Sequence, residues 1–341
     1  MRTIKVGSMK SNLNEKLNSA EIGKLWATYM GNSMCSCILK YFLKHTEDLE
    51  IKELLKDALK LTEDFQNKIK VIFSGEGFSI PIAFTEKDVN LEAPRLFEDE
   101  FYIYYLKYTI KAGFSIYNVG IPLMYRADVR DFFDYCMRST LDLEKKLKDF
   151  FISKNLSIKP PVIPGPQTPN IANKDYLKGF LGEVRPLNAL EITHLYDNLE
   201  NNITSKALIV GFRKVAKSEK TREVLLKGEM LTNKAIERYT EKLNHDKLPA
   251  PTLIDHLVTT STFSPFSDKL MLFHKVDMFS MKVRAFGNSA AVSGRHDLLL
   301  LYGKSLTNIS RFVQDATSIM IENGWLEIPP QSINRENLAS K

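Results

Sequence analysis

The chain is poor in cysteine, in long apolar runs and in clustered charge, and each shortage excludes a class of protein. Three of the 341 residues are cysteine, all in the first half, and so few thiols argue against a disulfide scaffold and for a reducing compartment. No run of about 18 apolar residues occurs, so we expect no membrane span. The N-terminal residues also lack the apolar core of a signal peptide. The 47 basic and 41 acidic residues are spread along the chain, which argues against a nucleic-acid partner.

The sequence contains one internal repeat. Residues 17–26 (LNSAEIGKLW) and 187–196 (LNALEITHLY) share five identities at an offset of 170. Shortening the offset by one residue, to 169, aligns Arg126-x-Asp128 with Arg295-x-Asp297. A single slip over so long a stretch indicates that the two halves are duplicates. Between them, five prolines fall between residues 160 and 169, which predicts an extended, semi-rigid linker.

Apolar residues in each copy recur at three- and four-residue intervals, which predicts four helices per copy. Asn18-x-x-Glu21 and Asn188-x-x-Glu191 match variant capping boxes that open the first helix. We expect the second helix of each copy at about 47–73 and 217–243. The third helix should begin near Pro94 and Pro265, and the fourth should end near residues 154 and 324.

The connection between the second and third helices is about twenty residues long in each copy and can reach about 60 Å. A 25-residue helix is about 38 Å long, so this connection can return along it and leave helices two and three parallel, as in ferritin-like proteins. The sequence therefore predicts an all-α chain of two tandem ferritin-like up-down four-helix bundles. They occupy residues 1–158 and 187–330, with a Pro-rich linker at 159–186 and a C-terminal tail at 331–341.

Several long segments carry a family resemblance. LNSAEIGKLWATYM and FYIYYLKY in the first copy, and PFSDKLMLFHK and MIENGWLEIPPQ in the second, are similar to a family of unknown function from endospore-forming bacilli. The resemblance covers residues 15–335 or so and implies two ferritin-like repeats. Through a distant likeness to spore coat protein F it also implies a sporulation context, with the protein in the cytoplasm or the spore coat. It implies no catalytic residue.

A ferritin-like fold raises the question of a di-iron centre, which needs a Glu from each of two helices and a Glu-x-x-His from each of the other two. The first copy has one histidine, His45, so we expect no transition metal there. The second copy has Glu191-x-x-His194, but on its first helix, where Glu191 matches the capping Glu21. Glu191, His194 and His274 are therefore weak candidates for a mononuclear site. The interpretation we favour is a helix cap beside a partly buried histidine, with no cofactor.

The third helix of the first copy is rich in aromatic residues between Phe101 and Tyr108. Such stripes are usually core, and a cofactor or lipid pocket is the alternative. Because duplicated domains often keep the interface of an ancestral homodimer, we expect this helix to face Leu270–Asp277 of the second copy. Asp277 stands opposite Tyr108 in the alignment, which predicts a skewed contact between the copies.

Cys35 and Cys37 are two residues apart on a helix and therefore point about 200° from each other. They cannot chelate one metal together, and we expect buried free thiols. No catalytic set can be assembled from the sequence. It favours a non-enzymatic structural or interaction protein, associated with the spore coat, that has protein partners or self-associates. The alternative is a ferritin-like metal- or small-ligand-binding protein that uses the second bundle.

Overall fold

The computed structural model describes residues 15–156, 159–180 and 184–332. Those residues form eight long helices and four short 3-10 turns, with two isolated β-bridges and no β-strand. The predicted all-helical duplication is confirmed. The helices are α1 (Ser19–His45), α2 (Leu49–Gly75), α3 (Asp99–Gly120) and α4 (Ala127–Ser153) in the first copy, and α5 (Ala189–Val215), α6 (Glu219–His245), α7 (Asp268–Val292) and α8 (His296–Glu322) in the second.

The second and third helices of each copy run parallel. The backbone N–H groups of Glu47 and Asp48, just before α2, both donate to the carboxylate of Asp99 at the start of α3 (2.9 and 2.7 Å). Asp268 at the start of α7 accepts in the same way from Lys217 and Ser218. Both helices of each pair therefore begin at the same end of the bundle. The segment between them, here called the crossover (residues 76–98 and 246–267), must run back along the bundle. This is the connection that the sequence predicts.

Pro94 and Pro265 do not open the third helices, and that prediction is wrong. The helices begin later, at Asp99 and Asp268. Both prolines lie in the crossovers, where their carbonyls are hydrogen-bond acceptors: Pro94 O accepts from the Tyr41 hydroxyl (2.6 Å) and Pro265 O from the N–H of Asn90 (2.7 Å). These contacts keep the chain extended for a few residues beyond each proline.

One carboxylate closes the same end of each bundle. Glu21 accepts from the N–H of Asn18 (2.8 Å), which completes the predicted capping box, and from the N–H groups of Tyr125 and Arg126 (2.9 and 2.8 Å) before α4. Glu191 does the same in the second copy. A glutamate in the first turn of one helix therefore also fixes the start of the fourth.

The two crossovers pair with each other across a pseudo-two-fold axis. Val89 bridges Phe266 and Phe97 bridges Val258, both antiparallel, and each bridge maps onto the other under the offset of 169. Two pairs of backbone hydrogen bonds have the same symmetry. The N–H of Glu98 donates to Leu257 O, and its equivalent, the N–H of Ser267, donates to Asp88 O. The N–H of Asn90 likewise donates to Pro265 O, and that of Thr259 donates to Leu96 O. This is the isologous pattern of a two-fold dimer, retained within one chain.

The axis passes between α3 and α7. The Tyr105 hydroxyl lies 2.9 Å from His274 Nε2, and Arg284 donates to the Ser115 hydroxyl at 3.2 Å; each contact joins positions that are equivalent in the two copies. The expected contact between the third helices of the two copies, α3 and α7, is therefore present, and we call it the seam. It is skewed as expected, because Tyr108 donates to the carbonyl of Met278 (3.1 Å) and not to Asp277.

Within the described residues, no helix combines the length and the apolarity needed to cross a bilayer. The segment at 159–173 has no helix or strand and is largely exposed. Beyond it, residues near Tyr176 pack on the start of α8, where a side chain at Gly294 would collide with the Tyr176 ring. The last part of the described linker is therefore anchored to the second bundle.

Candidate functional site

The three weak metal candidates of the second bundle are not brought together. Glu191 lies at the start of α5, and its carboxylate accepts from both terminal nitrogens of Arg185 (2.8 Å each). His194 is one turn further on, with its Nδ1 atom 3.4 Å from the Ser289 hydroxyl. His274 packs against Phe212 near the opposite end of α5, about 30 Å from Glu191 along the helix.

Glu191 is occupied by structural partners. Burial would raise the pKa of this carboxyl, but the hydrogen bonds from Arg185 and from the backbone N–H groups outweigh burial and lower the pKa below its usual range. Among the residues that the structure describes, no group of three or more His, Cys, Asp and Glu side chains is placed to hold a metal ion. The geometry thus gives Glu191 the capping role that the sequence favours.

Two buried lysines project into the interior of the second bundle. Lys275 is fully buried and donates to the carbonyl and hydroxyl oxygens of Ser205 (3.1 and 2.7 Å). Lys282 is 2% exposed, lies 3.5 Å from the Thr232 hydroxyl and sits over the Phe279 ring at 4.4 Å. Burial lowers the pKa of Lys282 to about 7, and burial together with Lys282 holds the pKa of Lys275 well below its ordinary value.

The interior of the first bundle is hollow. A cavity of about 300 Å³ lies between α1, α2, α3 and α4 and reaches the surface beside α7. Apolar and aromatic side chains form most of its wall, among them Met34, Leu39, Phe65, Leu106 and Tyr117. Most of the aromatic residues of α3 are buried, as the sequence favours, and Tyr105 and Tyr108 also line this cavity.

Three substitutions between the copies explain the difference. Gly113, Ile110 and Leu143 line the cavity of the first bundle. The equivalent residues of the second bundle are all larger: Lys282, Phe279 and Phe312. The rings of Phe279 and Phe312 lie 4.2 Å apart, and a side chain added at Gly228 would meet Phe312 at 2.6 Å. The second bundle is therefore tightly packed where the first has space.

The opening of the cavity to the surface also results from sequence differences between the two copies. On one side of the seam, Lys111 of α3 reaches Asp197, Glu200 and Asn201 of α5 (2.7, 3.3 and 3.4 Å) and closes the gap between the copies. On the other side, the residues equivalent to Lys111, Asp197 and Asn201 are Ser280, Ala27 and Gly31. These small residues cannot form such a network, so the gap between α1 and α7 stays open.

Asp277 of α7 is the acidic side chain of the cavity wall. Within the described part of the chain, it makes no hydrogen bond or ion pair. Burial raises its pKa, and the charge of Arg284 only partly opposes that effect. The sequence marked Asp277 as a break in symmetry but not as a site residue. A position-by-position comparison of the copies was the available signal, because Lys282 opposite Gly113 and Phe312 opposite Leu143 can both be found in the aligned halves.

The cavity also contains a row of polar groups: Cys35 Sγ lies 4.0 Å from the Tyr105 hydroxyl, which is 2.9 Å from His274 Nε2. Burial raises the pKa of Cys35 to about 12 and lowers the pKa of His274 to about 3, with the charge of Lys275 adding to the second shift. Both groups are therefore neutral near pH 7. A neutral thiol is a poor nucleophile, and this imidazole is a weak base.

The fold and the cavity define an all-helical, internally duplicated bundle protein with one hollow half. The chain belongs to the family of proteins of unknown function DUF3231, which matches residues 7–168 and again residues 176–338. No curated protein matches the chain. It is similar to a crystal structure from Bacillus halodurans described as a putative spore coat protein, with 16% identity and a TM-score of 0.40, over 44% of this chain and 98% of the other.

Proposed function

We propose that the chain is a non-enzymatic binding protein. The first bundle binds a small, largely apolar ligand, and the second bundle, whose interior is filled, stabilises the first. The observation that carries this proposal is the pair of equivalent interiors, one hollow and one filled. The small-ligand alternative that the sequence placed in the second bundle thus moves to the first.

The size and lining of the cavity support this function. Ligand sites in proteins are usually concave, mostly apolar and about 300–1,000 Å³ in volume, with a few polar groups for orientation. At about 30 Å³ for each water molecule, the cavity of about 300 Å³ accommodates roughly ten non-hydrogen atoms. A medium-chain amphiphile or a one-ring aromatic compound fits that limit.

The row of polar groups in the cavity (Cys35, Tyr105 and His274) is uncharged near pH 7, which supports the non-enzymatic part of the proposal. Catalytic groups usually have pKa values near the working pH, whereas burial moves those of Cys35 and His274 away from it in opposite directions. Tyr105, between them, also has its pKa raised by burial. None of the three is ready to accept or release a proton at neutral pH.

We also propose that neither bundle contains a bound metal. Glu191, His194 and His274 are too far apart to share one, because Glu191 lies at the start of α5 and His274 packs against Phe212 near its other end. Elemental analysis of protein purified without chelators should find each transition metal well below one atom per chain. A stoichiometric metal in the folded protein would contradict this.

The spore context implied by the family resemblance enters here as a proposal: the chain is made during sporulation and resides in the cytoplasm or the spore coat. Mass spectrometry of coat extracts and cytosol through sporulation tests it, and constant amounts in growing cells with none in spores would refute it. Protein partners or self-association also remain a proposal, which size-exclusion chromatography with light scattering can address.

The binding function can be tested with the fluorescence of Trp26, which lines the cavity. The chain has two tryptophans, so Trp325→Phe leaves Trp26 as the reporter. In that background, titration with 1-octanol should change the fluorescence of Trp26 saturably. A linear response up to the solubility limit of octanol, with no saturation, would contradict the proposal.

A variant that copies the packing of the second bundle provides the specific control. Ile110→Phe with Leu143→Phe introduces the two rings that fill the second bundle and should weaken octanol binding at least about tenfold. Leu141→Phe adds a ring on the same helix at a side chain that is 54% exposed, and it should leave binding unchanged. Equal binding by the filled variant would place the octanol outside the cavity.

A further inference from the structure

We propose that the ligand of the first bundle carries an organic cation, a protonated amine, which pairs with Asp277. This inference rests on the ligand site proposed above and specifies the chemical class of its occupant. The apolar part of the molecule would lie between α1, α2, α3 and α4, and the ammonium group would lie at the seam between the two copies.

Asp277 supplies the negative charge at this site. It lies on α7 with the buried residues His274 and Met278 beside it, and it faces the cavity. No described residue donates a hydrogen bond to it. Asp277 is partly buried, and a carboxylate drawn out of water without donors is costly. An ammonium group would supply both charge and donors.

Aromatic rings also line the cavity. Trp26 of α1, Tyr105 and Tyr108 of α3, and Phe273 of α7 all contribute to its wall. The faces of aromatic rings attract cations, and enclosed sites of this kind recognise alkylated ammonium groups. The hydroxyls of Tyr105 and Tyr108 already have partners, His274 and the carbonyl of Met278, so their rings are what they offer to a ligand.

Two basic residues also line the mouth and would favour an anion, but both are weaker determinants than Asp277. Arg284 is exposed and already donates to Ser115, so water and a hydroxyl satisfy its guanidinium. Lys24 has its pKa lowered by burial and by the charge of Arg284, which disfavours its charged form. Lys24 is partly buried without a described hydrogen bond or ion pair, as Asp277 is, so the aromatic rings decide between the two charges, and they favour a cation.

The charge of the ligand can be tested on the intact chain with three probes of matched length: n-octylamine, 1-octanol and octanoate. Isothermal titration calorimetry at pH 7 should rank octylamine tightest, at least about tenfold tighter than octanol, with octanoate weakest. Octanoate binding more tightly than octylamine would overturn the inference and assign the site to Lys24 and Arg284.

Asp277→Asn removes the charge with little change of shape. It should weaken octylamine at least about tenfold and change octanol less than about twofold. Asp142→Asn, the same change at an exposed position of α4, should alter neither. An unchanged affinity of Asp277→Asn for octylamine would overturn the inference while octanol binding kept the proposed function intact. No saturable binding of any probe to the wild-type chain would overturn both.

Discussion

At the scale of single residues, the two interior lysines of the second bundle are costly to bury. Lys282 occupies the position equivalent to Gly113. Its Nζ atom lies 3.5 Å from the Thr232 hydroxyl and over the Phe279 ring, and these two contacts replace the water that surrounds the amine in the unfolded chain. Burial lowers its pKa to about 7, so the unfolded chain binds a proton more tightly at this residue than the folded chain does. Stability must therefore depend on pH.

Replacement of Lys282 by Met should raise the free energy of unfolding, and the gain should be larger at pH 7 than at pH 9. Between about pH 7 and pH 10 the unfolded lysine is protonated and the folded one is not, so the wild type gains about 1.4 kcal/mol for each pH unit as the pH rises. The variant lacks this gain, and the difference between the two proteins shrinks accordingly. Urea unfolding at both pH values measures it.

The matched control for this prediction is Lys304→Met, at an exposed lysine of α8. Its stability relative to the wild type should be the same at pH 7 and pH 9. A difference between Lys282→Met and the wild type that does not vary with pH would show that Lys282 keeps its proton in the folded chain.

At the scale of helices, the seam depends on a close approach of α5 to the first copy. Gly211 of α5 lies against the Phe97 ring, and an added Cβ would be 2.5 Å from it. The pseudo-symmetric contact is that of Tyr41 with Phe266, with ring centroids 5.2 Å apart. One copy therefore presents a ring, Tyr41, and the other presents a glycine, Gly211, to equivalent phenylalanines of the opposite copy.

Gly211→Ala should destabilise the protein, although the same change usually stabilises a helix by up to about 1 kcal/mol. The added methyl group collides with Phe97, and overpacking in a core costs about 1–3 kcal/mol. Gly303→Ala on α8, where nothing lies within 4 Å of the added Cβ, should stabilise the chain and serves as the control. Equal melting temperatures for the two variants would contradict the close seam.

The helices, the duplication and the parallel second and third helices could be predicted from the sequence, because each depends on local patterns. The capping residues Asn18 and Asn188 are identified from a four-residue motif, and the crossover is predicted by the length of the non-helical segment between the second and third helices. The starts of α3 and α7 lie later than the sequence predicts. Pro94 and Pro265 suit a first turn locally, but contacts with distant residues keep them extended.

The candidate site could not be predicted in the same way, because it depends on volume. A glycine inside a helix costs about 1 kcal/mol locally, but Gly113 indicates a cavity only together with Ile110, one turn away, and Leu143 on another helix. The role of Asp277 likewise depends on the seam, which brings α7 against the first bundle. The capping role of Glu191, in contrast, can be predicted because its partner Asn188 is three residues away.

At the scale of the whole molecule, the two copies share one hydrophobic core. The buried apolar residues of both bundles form a single connected cluster, and the crossovers add backbone hydrogen bonds between the copies. The chain should therefore unfold in one cooperative transition, with a calorimetric enthalpy close to the van't Hoff enthalpy. Scanning calorimetry that resolved two separate transitions would show that the bundles are only tethered.

The central claim is that one copy is a ligand site and the other is its filled counterpart. The most direct measurement is a crystal structure of the chain grown with n-octylamine. We expect density for the octyl chain among Ile110, Gly113 and Leu143, and a nitrogen within hydrogen-bond distance of Asp277. Density for octylamine in the second bundle or only on the surface, with the first cavity empty at a saturating concentration, would contradict the claim.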